Sequence, residues 1–250
     1  ALTYALGVER DLVAGAQVYT HFGTGVRYPT YAQIAANPDI QDQHSQNYDV
    51  GVMRSFGPDL LGRLGVFVAA VKDDFITYLK PGGDPNVAAD YLTTNADHTT
   101  SGVELEAQGR TRLAKQGKPA GGLAWFANLS LNNRKVQRTT GIGDQPVSVS
   151  IPPHSVLNVG VRWVPEDRPT QVSFTLRASS HYMATSGYLR GVWRVGAYNL
   201  GVLQVAHDIA PNLKLTGTIS NLFNVSYETM PGFPEKPRNF KLGLSTTFAE

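Results

Sequence analysis

The sequence contains no cysteine, few charged residues and no long apolar run, and each of these absences excludes a class of structure. Without cysteine the chain can form neither disulfides nor thiolate metal sites. No run of about 18 apolar residues is present, so no membrane-spanning helix is predicted. Charged residues make up 17% of the chain, below the roughly 25% usual for soluble globular proteins. The net charge of +2 and the scattered basic residues give no reason to expect a nucleic-acid partner.

The clearest pattern is a strict alternation near the C-terminus, over residues 239–248. Phe240, Leu242, Leu244 and Phe248 share one parity, and polar residues or glycine occupy most of the other. Successive side chains of a β-strand point to opposite faces, so this strand has one apolar face that ends in an aromatic residue. A closing strand of this kind is typical of outer-membrane β-barrels.

The same alternation recurs along the whole chain and predicts about eleven strands. It is clearest at Val103–Gln108, Leu157–Trp163, Val172–Arg177 and Leu213–Ser220. The predicted strands are Leu2–Val8, Ala14–Gly23, Ser45–Ser55, Leu61–Leu79, His98–Leu113, Gly121–Arg134, Ser155–Val164, Thr170–Tyr182, Trp193–His207, Leu213–Tyr227 and Asn239–Phe248.

Short and long connections alternate strictly between these strands. The short ones are Glu9–Leu12, Phe56–Leu60, Ala114–Ala120, Pro165–Pro169 and Asp208–Asn212; the long ones are Thr24–His44, Lys80–Asp97, Lys135–His154, Met183–Gly191 and Glu228–Arg238. Outer-membrane barrels have tight turns on the periplasmic side and long loops outside. The sequence therefore predicts an all-β, transmembrane antiparallel β-barrel, with a soluble β-sandwich as the alternative.

Several ordered segments resemble one protein family. Asn221-Leu-Phe-Asn-Val-Ser-Tyr227, the Pro237-Arg238 pair and the closing strand are similar to the C-terminal end of TonB-dependent outer-membrane receptors. Upstream, the segments 22–31 and 45–51 and the strand start Thr100-Ser-Gly-Val-Glu resemble that family's recurrent strand patterns in the same order. Asp49 stands where the family usually has Glu.

The resemblance implies that residues 1–250 form one domain, the C-terminal part of a receptor barrel. The family barrel has about 22 strands around a plugged lumen, and about eleven are predicted here. The family's N-terminal plug domain has no counterpart in this sequence. An odd number of antiparallel strands does not close a bacterial single-chain barrel, which again indicates about half of a 22-stranded barrel.

The resemblance also implies a function. A bacterial outer-membrane, multi-pass location and active uptake of a scarce solute are expected, most often of a ferric siderophore, driven by TonB. The implied partners are a ferric chelate or similar small cargo, TonB through the missing N-terminal part, the barrel-assembly machinery and outer-membrane lipid. The alternatives are a cobalamin, haem or saccharide receptor of the same family, and a plug-free outer-membrane channel or structural barrel.

Nothing in the sequence predicts an enzyme, a cofactor or a metal site. Glu104 and Glu106 are two positions apart on one strand, so they are interpreted as hydrated wall residues facing the lumen. The six histidines are dispersed and lack the spacing of metal ligands, which favours loop or rim positions. No nucleophile elbow accompanies any serine.

The candidate ligand-binding residues lie in or beside the long connections. They are Arg27, Tyr28, Tyr31, Tyr91, Tyr182, Tyr188 and Trp193. Tyr, Trp and Arg combine stacking area with charge-assisted hydrogen bonds, which suits capture of an anionic aromatic chelate. For Tyr182, Tyr188 and Trp193 an aromatic girdle at the membrane interface is an equal alternative. For Arg27 the alternative is an ordinary solvated charge.

Phe240, Leu242, Leu244 and Phe248 are predicted, from the resemblance, to form the signal that the barrel-assembly machinery recognises. Deletion of Thr246–Glu250 from the intact gene should therefore lower the amount of folded receptor in the outer membrane. Heat-modifiable migration of membrane fractions on a gel measures this amount. Unchanged assembly would reduce Phe248 to an ordinary lipid-facing aromatic.

Overall fold

A computed structural model supplies the fold of the chain. The residues that it describes are 3–13, 15–80, 83–84, 87, 90–115, 118–139, 150–166, 168–185 and 192–247. Tyr188 and Phe248 lie outside this set. The backbone of Tyr91 is described, but its side chain is not.

Eleven strands form one antiparallel sheet in which each strand pairs with its neighbours in the chain. They are β1 (Ala5–Val13), β2 (Ala16–Arg27), β3 (Gln43–Ser55), β4 (Leu60–Leu79), β5 (Tyr91–Lys115), β6 (Lys118–Thr139), β7 (Ser155–Val164), β8 (Thr170–Ser179), β11 (Tyr198–Ala210), β12 (Leu213–Ser220) and β15 (Asn239–Thr246). The long connections hold a short helix, α1 (Tyr31–Ala36), and two small hairpins, β9 (Tyr182–Thr185) with β10 (Val192–Val195) and β13 (Glu228–Met230) with β14 (Phe233–Pro234). The prediction of an antiparallel sheet of about eleven strands is confirmed.

Several predicted strand boundaries are wrong. The strands predicted as His98–Leu113 and Gly121–Arg134 are longer, Tyr91–Lys115 and Lys118–Thr139, and three other differences have a local reason. The first strand runs on to Val13, and the turn that follows contains Gly15 at a φ of 75°. The segment predicted as Trp193–His207 divides into β10 and β11, because β10 pairs with β9 outside the main sheet. The segment predicted to reach Tyr227 ends at Ser220, since Asn221 adopts a φ of 51° that a strand cannot accommodate.

The sheet is a single layer with one apolar and one polar face. Residues opposite each other on neighbouring strands share a face, so the pairing register follows each face across the sheet. One apolar row crosses six strands through Trp125, Val161, Phe174, Leu203, Ile219 and Phe240. One polar row crosses five strands through Arg63, Glu106, Asn128, Asn158 and Arg177. The parity predicted from the sequence is therefore kept from strand to strand.

The apolar face is uncovered, which a soluble sandwich would not tolerate. Phe240, Leu242 and Leu244 are 72%, 80% and 67% exposed. The described residues form only a small buried apolar cluster, Ile76 with Ala96. A β-sandwich buries such a face against a second sheet, whereas a transmembrane barrel turns it towards lipid. The sheet is open between β1 and β15 in the described part of the chain, as expected for part of a barrel.

No helix in the described ranges is long and apolar enough to cross a bilayer.

Aromatic rings lying on glycines of the next strand hold this thin wall together. Tyr19 is paired with Gly51, Phe67 with Gly102 and Phe126 with Gly160. A Cβ added at any of these three glycines would overlap the facing ring. The missing side chain therefore makes the space in which the ring lies, and the ring covers a backbone that glycine would leave bare.

Val159 tests which face meets lipid. It is the central residue of β7 on the apolar face, opposite Ala127 and Leu176. Val159→Arg should destabilise the folded receptor by roughly 2–4 kcal/mol if the position is near the bilayer midplane. Asn128→Arg, on the polar face opposite Glu106, should be nearly silent. Urea titrations of folding into vesicles measure both, and equal costs would contradict the assignment of faces.

Gly160 tests the contact between rings and glycines. Gly160→Ala should lower the free energy of unfolding by about 1–3 kcal/mol, because the added methyl group overlaps Phe126 and forces the ring to move. Gly122→Ala is the matched control, since Gly122 lies on the inner strand β6 and a Cβ there meets nothing within 4 Å. The double variant Phe126→Ala with Gly160→Ala should show a smaller cost than the sum of the two single changes. Additive costs would mean that ring and glycine do not interact.

Candidate functional site

The candidate ligand-binding residues that the structure describes all lie at the long-connection edge of the sheet, which we call the rim. Arg27 ends β2, Tyr28 follows it, and Tyr31 is the first residue of α1. Tyr91 begins β5, Tyr182 begins β9, and Trp193 lies in β10. Their ligand-binding role remains a prediction, and Tyr188 is outside the described residues.

Local sequence makes the helix that presents Tyr31. Thr30 caps α1: its Oγ1 accepts from Gln33 N at 3.4 Å, while Gln33 Oε1 accepts from Thr30 N at 2.8 Å. This capping box fixes the start of a helix too short to be stable alone. The helix has no buried residues, and Tyr31 is 88% exposed. Its ring is therefore available for contact with a ligand.

The segment that carries α1 is anchored to β5 by amide hydrogen bonds. Asn37 Nδ2 donates to Thr93 O at 3.1 Å. Gln41 N donates to Asn95 Oδ1 at 2.9 Å, and Asn95 Nδ2 donates back to Gln41 O at 3.1 Å and to Asp73 O at 2.8 Å. Asn95 is only 4% exposed, so these bonds are shielded from water. The rim residues near α1 thus lie on an anchored platform, which we call the α1 platform (residues 27–41).

Arg27 is held by a ring at the base of the α1 platform. Its guanidinium carbon lies 5.1 Å from the centre of the Phe75 ring, a cation–π distance. The side chain remains exposed, so its N–H groups can still reach an anionic ligand. The choice between ligand contact and an ordinary solvated charge for Arg27 stays a prediction.

Tyr182 connects two loops. Its hydroxyl donates to Thr229 O, 2.8 Å away, which ties the β9–β10 hairpin to the β13–β14 hairpin. Beside it Val195 is 2% exposed, and the rings of Tyr198 and Tyr227 are 5.1 Å apart. Burial raises the pKa of Tyr182 above its ordinary value, and the protonated hydroxyl is the donor of this hydrogen bond. Tyr182 therefore connects the two hairpins, whereas Trp193 is 48% exposed.

The two groups of rim residues begin on different strands. The α1 platform follows β2 and is anchored on β5 through Thr93 and Asn95, and the β9–β10 hairpin follows β8. Three strand spacings, roughly 14 Å along the sheet, separate β5 from β8. The platform therefore covers the rim from β2 to β5, and the hairpin begins at β8.

The sequence did not predict a buried polar cluster on the polar face. His98 is 4% exposed, and its Nε2 lies 3.0 Å from Asp74 Oδ2. Arg134 donates from Nε to Thr100 Oγ1 and from Nη1 to Ser150 O, both at 2.8 Å. The rim position expected for His98 is wrong, because it shares the parity of Glu104 and turns onto the polar face. The parity that His98 shares with Glu104 is the sequence feature that could have predicted its place on the polar face.

The Asn221-Leu-Phe motif has a structural role. Asn221 is 5% exposed; its Oδ1 accepts from Val225 N at 2.9 Å, and its Nδ2 donates to Val225 O at 2.8 Å. The Phe223 ring covers Gly201, where an added Cβ would meet it at 2.8 Å. The motif therefore ends β12 and directs the chain into the loop that carries β13 and β14.

No group of three or more His, Asp or Glu side chains in the described ranges is placed to hold a metal ion.

Comparison with known proteins gives one family and one fold. The family model described as "TonB dependent receptor-like, beta-barrel" matches residues 1–222. Among solved structures, the copper transporter OprC is 19% identical with a TM-score of 0.72, over 98% of this chain and 39% of that one. The FrpB iron transporter from Neisseria meningitidis, F5-1 variant, is 14% identical with a TM-score of 0.72, over 99% and 40%.

A third similar structure is the FpvA receptor from Pseudomonas aeruginosa PAO1 bound to pyoverdine. It is 17% identical with a TM-score of 0.69, over 97% of this chain and 35% of that one. At these identities the likeness concerns the fold alone. The chain spans about two fifths of the length of the structures it matches.

Proposed function

The chain belongs to the β-barrel family of TonB-dependent receptors, and we propose that residues 1–250 form part of the barrel of a bacterial outer-membrane receptor for a ferric siderophore. The complete receptor takes up this chelate actively, with energy delivered through TonB. Its loop-bearing rim faces outwards, its apolar face contacts lipid, and its polar face lines the lumen.

The observation that carries the choice of cargo is the α1 platform. It combines Tyr31, whose ring is 88% exposed, with Arg27, whose guanidinium rests on Phe75. An aromatic face and a cation held on an anchored loop match the surface of an anionic, aromatic metal chelate. The Asn95 hydrogen bonds reduce the loop ordering that binding would otherwise require.

Two solved relatives are consistent with this cargo class. FpvA is described as bound to pyoverdine, and FrpB is described as an iron transporter. OprC is described as a copper transporter, so copper ions belong in any test of cargo. The apolar and polar rows of the wall do not distinguish between siderophore, iron and copper as cargo, because any barrel of this family needs such rows.

Cargo binding can be measured on the intact receptor in detergent by quenching of tryptophan fluorescence. Ferric pyoverdine, ferric enterobactin and Cu²⁺ are the probes. We expect saturable binding of a ferric chelate, weakened by about 1–3 kcal/mol in Arg27→Gln with Tyr31→Ala, because a stacking ring and a cation are lost. Trp193→Ala reports separately on the second rim group.

Tyr48→Ala is the matched control. Tyr48 is 49% exposed like a rim residue, but it lies on the apolar face against Phe22, with ring centres 4.5 Å apart. Its loss should lower the melting temperature and leave binding unchanged. Unchanged chelate affinity in the Arg27→Gln, Tyr31→Ala variant would mean that the α1 platform is not part of the binding site. Ion conductance across planar bilayers without any chelate binding would favour a channel instead.

A further inference from the structure

Among the described residues, the basic residues of the apolar face lie at its two ends: Arg10, Arg54 and His207 near the short connections, and a cluster at the outward end of strands β3 to β6. His44, Lys72 and Lys135 are exposed there. Lys72 continues the parity of Val66 and Val68, and Lys135 continues that of Leu129 and Leu131. Their side chains therefore leave the wall on the side that meets lipid.

The pairing register brings these residues together. His44 lies directly opposite Lys72. Thr99 is opposite both Ala70 and Lys135. Lys72 is two residues beyond Ala70, so the two lysines are two strands apart and offset by two residues along the strand. Two strand spacings amount to roughly 10 Å, which two flexible four-carbon side chains can span towards one doubly charged group. Thr99 adds a polar side chain in the row of Lys135, and Ser101 and Asn133 add two more in the next row of this face, opposite Val68.

Lys72 stands at the height of lipid headgroups. The lipid-side positions of β4 run from Leu60 through Leu64, Val66 and Val68 to Ala70, and carry only apolar residues or glycine. These positions cover about eleven residues, the length that a tilted strand needs to cross the hydrocarbon. Lys72 is the next residue of that parity, so its ammonium group emerges where the hydrocarbon ends.

The charges of this patch lack a protein partner among the described residues. Neither Lys72 nor Lys135 forms an ion pair there, and the nearby Asp97 accepts from Asp73 N at 2.9 Å. The corresponding outward positions on β7, β8 and β11 are uncharged: Ser155, Ala178 and Asn199. The basic patch at the outward end thus does not continue across β7, β8 and β11.

We propose that His44, Lys72 and Lys135 bind the phosphate-bearing headgroup of an outer-leaflet lipid. The apolar row below them, Val50, Val66, Val103 and Leu131, contacts its acyl chains. Anionic headgroups are attracted to clustered basic residues beside an apolar surface, and a phosphate also offsets the repulsion between adjacent lysines. The inference rests on the proposed function only for the outward direction of the rim.

The test uses the intact receptor, delipidated in detergent and titrated with lipid A, a glycolipid that carries two phosphates. Native mass spectrometry counts bound lipid, and melting curves report its effect on stability. We expect one or a few retained lipids and a raised melting temperature. In Lys72→Gln with Lys135→Gln, the affinity should fall at least tenfold.

Two further variants separate charge from folding. Lys236→Gln with Lys241→Gln removes the same charge from a loop and from the polar face, and should bind lipid A as the unchanged receptor does. Lys72→Arg with Lys135→Arg should retain binding. Equal lipid affinity in the glutamine variant and the unchanged receptor would overturn the proposal, as would equal binding of dephosphorylated lipid A.

A titration with inorganic phosphate is the last control. If phosphate alone reproduced the stabilisation with the same lysine dependence, the site would be an anion site without a lipid, and the proposal would be wrong. Ferric chelate binding, measured on the same preparations, should not change in the glutamine variant. Failure of the lipid proposal and failure of the proposed cargo therefore give different results.

Discussion

The structure depends on one constraint, which is that hydrocarbon offers no partner to a backbone N–H or C=O group. An antiparallel sheet answers it by pairing every strand with both neighbours, as β2 to β12 of the main sheet are paired here. The edges β1 and β15 each have one free side among the described strands, so inside a bilayer both need further strands. The long β4, β5 and β6 project beyond the hydrocarbon, where their outer ends support the rim.

A wall one layer thick cannot hold a hydrophobic core, and its side chains must therefore make contacts along the sheet. Rings on glycines supply these contacts on the polar face, as Tyr19 does on Gly51, where Arg63 Nε also donates to the Tyr19 hydroxyl at 2.9 Å. On the apolar face lipid takes the place of a core. Both arrangements require the register to be correct, because a slip of one residue would move every apolar side chain to the wrong face.

Most of the wall could be predicted from the sequence because period-two alternation is a local signal. Its failures mark where backbone conformation or tertiary pairing overrides that signal: Asn221 ends a strand through a left-handed φ, and Trp193 leaves the sheet to pair with β9. At the rim, residue type and loop position predicted Tyr31 and Arg27 as candidates, and their role stays a prediction. Residue type and loop position could not show that Asn95, far away in sequence, anchors the loop, or that Tyr182 supports a neighbouring hairpin, since both depend on contacts between distant segments.

Contacts between strands constrain the residues of the wall more than those of the rim. The family is therefore evident from the wall, whereas the choice of cargo would depend on the rim. A wall residue such as Val161 faces partners on two strands, so its size and polarity are fixed by the register. Tyr31 has no such partners, because α1 buries none of its residues. The α1 platform depends instead on Asn37 and Asn95, which bind backbone atoms and tolerate any neighbouring side chain. The residues proposed to meet cargo can therefore change without disturbing either the anchor or the barrel, which would let one wall serve receptors for different solutes.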